Sequence, residues 1–225
     1  MIIKNNIDKI RQAIPEGCTL VVVSKTHPIE KIQEVYTTGH RIFGENKVQE
    51  LVAKYEALPN DIQWHLIGHL QTNKVKYVTP FVHLIQSVDS VRLLQEINKQ
   101  AIRNKRVVHC LLQVHIAQEE TKFGFSTEEV LTFVASAELS QLQSVKIVGL
   151  MGMATYTEDV GQIRKEFQIL KNLFDTLKKI NLPTNMSMQE LSMGMSSDYT
   201  IAIEEGSTMV RVGSAIFGER NYTLQ

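Results

Sequence analysis

Cysteine is scarce in this chain of 225 residues: Cys18 and Cys110 stand far apart, and neither belongs to a Cys-x-x-Cys or Cys/His spacing. That argues against both a disulfide framework and a structural zinc site, and a reducing cytoplasm is the expected compartment. An excess of either charge is missing too, since 24 basic residues balance 24 acidic ones. There is no basic field to attract nucleic acid or an anionic membrane, and no acidic tail. Long apolar runs are also lacking. Near the N-terminus Ile3, Ile7, Ile10 and Ile14 recur at helical spacing, with charges between them and a stop at Pro15 and Gly17. This describes an amphipathic helix over 1–15 rather than the apolar core of a signal peptide. No later segment reaches the roughly 18 apolar residues that a membrane span needs, so a soluble, unexported protein is expected. No low-complexity linker or shift in composition divides the chain, and one domain over 1–225 is the expectation.

What the chain does contain is alternation. Short apolar runs rich in β-branched residues fall at 19–25, 41–45, 64–68, 84–88, 108–116, 147–153, 190–193 and 209–217. Amphipathic segments begin between them near Ile29, Lys47, Gln71, Ser90, Thr127, Asp159 and Asp198. The clearest N-cap signals are Asp89-Ser90, Ser126-Thr127 with Glu129, and Ser197-Asp198. Within 160–180, Ile163, Phe167, Leu170, Phe174 and Leu177 form one stripe, the pattern of a helix covering a sheet. Strand and helix in alternation imply parallel strands with crossover connections. Eight repeats match a closed (β/α)8 barrel over 19–218, an α/β fold. A doubly wound open sheet is the alternative; the count of eight and the lack of a Gly-x-Gly-x-x-Gly turn after the first run favour the barrel.

In such barrels the chemistry sits at the C-terminal ends of the strands, and the loops after strands seven and eight often hold phosphate. The first run, TLVVVSKTHP, ends in Lys25. In a strand, Leu20, Val22 and Ser24 share one face while Val21, Val23 and Lys25 share the other. An amine on that apolar face is partly desolvated, which disfavours the ammonium and prepares it to condense with an aldehyde. The plainer alternative is a strand-end lysine that reaches water. Run seven leads into Ser192-Met193-Gly194-Met195-Ser196-Ser197-Asp198, rich in hydroxyls and backbone donors ahead of a helix start. Run eight reads MVRVGS, in which Gly213 lets the backbone approach an anion and Ser214 offers an N–H and a hydroxyl. Arg211 shares a face with Met209 and Gly213, so its guanidinium can point into the barrel mouth, where it needs an acceptor. That acceptor is either an inward acid such as Glu45 or a ligand atom with a lone pair, such as a pyridine nitrogen.

A Schiff-base lysine on strand one, an inward arginine on strand eight and two phosphate loops together suggest pyridoxal phosphate. The stretches VVVSKTHP, FGENKVQEL, WHLIGHLQTNK, LIQSVDS, LSMGMSSDY and GSTMVRVGSAIFGERNY, over 20–222, resemble the YggS-type pyridoxal phosphate homeostasis family, a single-domain relative of the alanine racemase barrel. The resemblance implies that Lys25 carries the cofactor as a Schiff base and that Ser192, Gly194, Ser196, Gly213 and Ser214 hold its phosphate. It also implies that Arg211 faces the ring nitrogen, with Asn46 of FGEN close by. The function it implies is cytoplasmic vitamin B6 homeostasis: buffering or delivering cofactor to dependent apoenzymes, without established turnover, as a monomer or at most a weak dimer. Two positions depart from the family. Ser214 stands where threonine is more usual and keeps the hydroxyl; His115 replaces a usual asparagine.

An arginine keeps its proton, so a ring nitrogen facing Arg211 stays neutral and draws electrons weakly. Racemases of this fold take an opposing acid/base from a second domain and a second subunit, and 225 residues leave no room for that domain. Two enzyme readings stay open: an amino-acid racemase or lyase, and a cofactor-free Schiff-base aldolase for which Glu45 is the obvious acid. Elsewhere His65, beside Trp64, reads as a hydrogen-bonded core histidine. His69, Gln71, Asn73 and Lys74 form a polar loop that either lines the mouth or caps the next helix and is assigned no role, Lys122 reads as a solvent-exposed amine near the mouth, and Met151, Met153, Met193 and Met195 read as packing.

Overall fold

The computed structural model of the chain describes residues 2–119 and 123–218. Its strands are β1 (Thr19–Val23), β2 (Ile42–Glu45), β3 (Gln63–Leu66), β4 (Leu84–Val88), β5 (Val108–Gln113), β6 (Val145–Met151), β7 (Met186–Met195) and β8 (Met209–Val212). All pair in parallel in chain order, and β8 closes onto β1 with Thr19 opposite Met209 and Val21 opposite Arg211. The closed (β/α)8 barrel expected from eight runs therefore forms, and the open-sheet alternative, which would leave two edge strands, does not.

The helices are α1 (Ile2–Ala13), α2 (Ile29–Tyr36), α3 (Val48–Ala57), α4 (Val75–Val78) after a 3₁₀ turn at Thr72–Lys74, α5 (Val91–Arg103), α6 (Thr127–Val134), α7 (Ala137–Gln141), α8 (Val160–Lys178), α9 (Tyr199–Glu204) and α10 (Ser214–Phe217). Local chemistry sets their starts. The Ser90 hydroxyl accepts the Leu93 N–H at the head of α5, and Ser126 and Glu129 form a reciprocal capping box on α6. Asp198 makes no such cap on α9; its carboxylate turns back to the Met195 N–H. The stripe on α8 is buried along its length, from Ile163 through Phe167, Leu170 and Phe174 to Leu177.

Two apolar layers result from strand alternation. Leu20, Val22, Phe43, Trp64, Leu112 and Val210 pack outward beneath the helices. Val21, Leu84, Leu111, Val148, Met151 and Met209 fill the barrel interior. Each fully buried aliphatic side chain in either layer stabilises the fold by about 1.5–3 kcal/mol.

Some boundaries differ from the sequence expectation. β7 begins at Met186, because 186–190 alternates buried Met186 and Met188 with more exposed neighbours, a half-buried pattern that a search for apolar runs passes over. β8 stops at Val212: Gly213 leaves the extended conformation and the chain turns into α10. The N-terminal helix covers 2–13 and buries Ile3, Ile7 and Ile10.

Candidate functional site

At the C-terminal ends of the strands lies a cavity of about 910 Å³. Six of the eight residues expected to form the site line it: Lys25, Asn46, Ser196, Arg211, Gly213 and Ser214. The other two do not. Ser192 has no exposed surface and sits deeper in the barrel, and Gly194 is the penultimate residue of β7, at a φ of 95°.

Lys25 lies just past β1, and its neighbours are clamped from the outer layer. The Ser24 hydroxyl donates to Glu45 Oε1 at 2.6 Å, while Lys54 Nζ donates to Ser24 O at 2.8 Å, Glu45 Oε1 at 2.7 Å and Glu50 Oε1 at 2.7 Å. Glu50 in turn accepts the Thr26 N–H at 2.6 Å, holding Thr26 at a φ of 68°. A non-glycine residue in that region is strained and persists only where its surroundings fix it. Burial pushes the Glu45 carboxyl above its ordinary pKa, and Lys54 and Ser24 pull it back. Glu45 is thus the partner of Lys54 in the layer between barrel and helices, and the Glu45–Arg211 bridge that inward placement would allow does not form.

The two loops expected to take phosphate meet. The Ser196 hydroxyl oxygen accepts the Gly213 N–H at 3.1 Å, and the Ala215 N–H points at the same oxygen from 3.5 Å. Backbone donors from the β8 loop therefore converge on the Ser196 hydroxyl oxygen, and Ser214 lines the same cavity. Behind them Asp198 Oδ1 accepts the Met195 N–H at 2.5 Å. Burial raises the Asp198 pKa, against the pull of that N–H and of Arg211.

Arg211 is 3% exposed. Its Nη1 donates to Ser192 Oγ at 2.6 Å and its Nη2 to Gly152 O at 3.0 Å. Desolvation lowers its pKa to about 10, with Asp198 opposing, so the guanidinium remains charged at neutral pH. Below it the polar line continues: Ser192 Oγ donates to Gln86 Oε1 at 2.6 Å, and Gln86 Nε2 meets His65 Nδ1 at 2.9 Å and Met209 Sδ at 3.2 Å. Ser192 thus lies between Arg211 and Gln86, away from the loops that meet at Ser196. His65 is the hydrogen-bonded core histidine expected, kept neutral by burial that drops its pKa to about 3.

Several cavity residues carry little or no site signal in the sequence. The His69 ring stacks on Phe123 at 4.1 Å between centroids and bonds through Nδ1 to Asp89 at 2.8 Å. Gln113 donates to Phe123 O at 2.8 Å, and Tyr156 stands at the rim. Only the HLQTN run after β3 hinted at a polar rim; Phe123 and Tyr156 come from loops without pattern. Met153 and Met195 line the cavity, whereas Met151 and Met193 are buried packing. The His115 ring bonds to Ala117 O at 2.8 Å and is not among the cavity residues. Lys122 lies outside the described residues.

The model of the alanine racemase N-terminal domain family matches residues 2–221. The pyridoxal phosphate homeostasis protein of Aquifex aeolicus is 44% identical over 209 residues, 92% of this chain and 90% of that protein. The protein of the same description from Haemophilus influenzae is 38% identical over 236 residues, 99% of this chain and 98% of that one. Among solved structures, PipY of Synechococcus elongatus without pyridoxal phosphate superposes with a TM-score of 0.90 at 35% identity, over 97% of this chain and 100% of that chain. Its form with pyridoxal phosphate bound gives 0.86 at 34% identity, over 96% and 100%. An alanine racemase of Clostridium difficile, 14% identical with a TM-score of 0.77 over 99% of this chain and 57% of its own, shares the fold. The chain belongs to the pyridoxal phosphate homeostasis protein family, built on the alanine racemase N-terminal barrel.

Proposed function

We propose that this protein holds pyridoxal 5'-phosphate on Lys25 and serves as a store and donor of that cofactor in the cytoplasm, acting as a monomer that supplies dependent apoenzymes. The observation that carries this reading is the convergence on one cavity of an amine, a buried guanidinium and a set of anion donors. When bound, the cofactor supplies an aldehyde that condenses with a primary amine and a ring that withdraws electrons. Lys25 offers the amine. Ser196, Gly213 and Ser214 offer hydroxyl and backbone donors to the phosphate, and the amides of Gly213 and Ala215 converge on the Ser196 hydroxyl oxygen. Arg211 would donate to the lone pair of the ring nitrogen while keeping its own proton. Asn46 lies alongside. Gly194 shapes the end of β7 ahead of Ser196, and Ser192 supports Arg211.

Two features favour holding over turnover. A guanidinium that cannot pass its proton leaves the ring a weak electron sink. The acid on which an aldolase would depend, Glu45, is turned to the helix layer and bonded to Lys54. Both cysteine thiols have pKa values raised by burial, Cys18 to about 11, so neither is a ready nucleophile. Among the described residues no helix is long and apolar enough to cross a membrane.

Purified protein mixed with pyridoxal phosphate should develop the visible band of a lysine-bound cofactor, and borohydride should fix the label on the peptide containing Lys25. Lys25→Ala should show neither. A colourless wild-type protein in excess cofactor, or a label on another lysine, would sink the proposal.

A further inference from the structure

We infer that Ser192, Gln86 and His65 are positioning residues: they form a hydrogen-bonded line of fixed direction that orients Arg211 and preserves its full donor strength toward a bound ring. This rests on the reading that Arg211 meets the ring nitrogen. Ser192 and Gln86 are fully buried and His65 is 2% exposed, so water is a poor substitute for any link.

The direction follows from chemistry at one end. An arginine only donates, so Ser192 Oγ, 2.6 Å from Nη1, must accept. Its own hydrogen then goes to Gln86 Oε1, also at 2.6 Å. With that oxygen engaged, Gln86 presents its NH2 group to the other side, one hydrogen toward His65 Nδ1 at 2.9 Å and the other toward Met209 Sδ at 3.2 Å. The flipped amide would set an oxygen against the sulfur and leave the Ser192 hydrogen with no acceptor among its described neighbours. His65 Nδ1 must therefore accept, which places the ring proton on Nε2. The neutral ring that this demands is the one burial favours.

Two consequences bear on the cofactor. Ser192 and the Gly152 carbonyl hold two corners of the guanidinium, which fixes its plane and leaves its remaining N–H groups for the cavity it lines. The direct partners are neutral acceptors, with the Asp198 charge acting only at longer range. A carboxylate in direct contact would neutralise the cation and weaken its donation; a line of neutral groups steers it without doing so.

The test uses full-length protein loaded with pyridoxal phosphate. It reads the dissociation constant for the cofactor and the pH at which its visible band changes. Ser192→Ala and Gln86→Leu should each weaken binding about tenfold, the cost of an unmade buried hydrogen bond, and shift the pH of the band change. The double variant should be no worse than the single ones, because both break one line. Ser192→Thr, which keeps the hydroxyl, should restore most of the affinity. Leu111→Ala, an apolar neighbour in the barrel interior, should lower the melting temperature and leave the band untouched. Wild-type affinity and band in both Ser192→Ala and Gln86→Leu would overturn the inference, as would strictly additive losses. Arg211→Lys separates the two readings. If it also leaves the band unchanged, the contact with the ring nitrogen is wrong. If it shifts the band while the other variants do not, only the positioning line fails.

Discussion

At the scale of single residues, Lys54 ties down the two chain neighbours of Lys25, Ser24 directly and Thr26 through Glu50. It is 5% exposed, Glu45 is fully buried, and one Lys54 amine serves Ser24, Glu45 and Glu50 at once. Such a pair gives little net stability over an apolar replacement, because desolvation offsets most of the Coulomb gain. Breaking it is another matter, since one charge is then stranded. Lys54→Met should lower the free energy of unfolding by about 3–5 kcal/mol, measured by urea titration, and adding Glu45→Gln should recover most of that loss. Equal stability of Lys54→Met and wild type would show that Glu45 is not charged in the fold. The same network fixes both neighbours of Lys25, so the double variant should remain looser in cofactor binding even where stability returns.

At the scale of elements, the end of β7, where it packs against α9, shows what glycine contributes. Gly194 has a φ of 95°, and a Cβ there would lie 2.6 Å from that of Ala202. Both the backbone conformation and the close packing of α9 exclude a side chain. Gly194→Ala should therefore cost about 1–3 kcal/mol in thermal unfolding and should weaken cofactor binding by moving Ser196, two residues on. Unchanged stability would mean that this end of β7 has a second conformation. Gly149 plays a comparable part in β6, where a Cβ would fall 1.7 Å from Glu190 O beside the register shift between β6 and β7.

For the molecule as a whole, buried histidines set the response to acid. Burial lowers His40 from 6.5 to about 4 and His65 from 6.5 to about 3, and partial desolvation also lowers the exposed His83 and His109. Between the folded and the ordinary value the unfolded chain binds more protons. Their contribution is thus complete above about pH 6.5 and is lost as pH falls toward the folded values. Glu45 and Asp198 act in the opposite sense: with raised folded pKa values, their contribution is present at acid pH and is lost as pH rises through those values. Comparing the wild type with His40→Gln isolates one histidine. Between pH 7 and pH 5 the wild type should lose about 2 kcal/mol more than the variant, and parallel losses in urea unfolding would show that His40 is not held neutral.

Much of this was legible in the chain. Eight short runs, the alternation that puts Val21 and Lys25 on one face, the shared face of Met209, Arg211 and Gly213, and the hydroxyl-rich turns after the last two strands all follow from a period of two and from turn chemistry. Those are local properties, carried by neighbouring residues. The acceptor of Arg211 was not legible, nor was the pairing of Glu45 with Lys54, the placing of Ser192 below the loops that meet at Ser196, or the presence of Phe123 and Tyr156 at the mouth. Each depends on which strands become neighbours when β8 meets β1, on the register at which they lock, and on where loops far apart in sequence come to rest. Closing the sheet sets Gln86 of β4 against Ser192 of β7 across the barrel axis, 106 positions apart in the chain. Local pattern can aim a side chain inward, but only closure and register determine what it meets there.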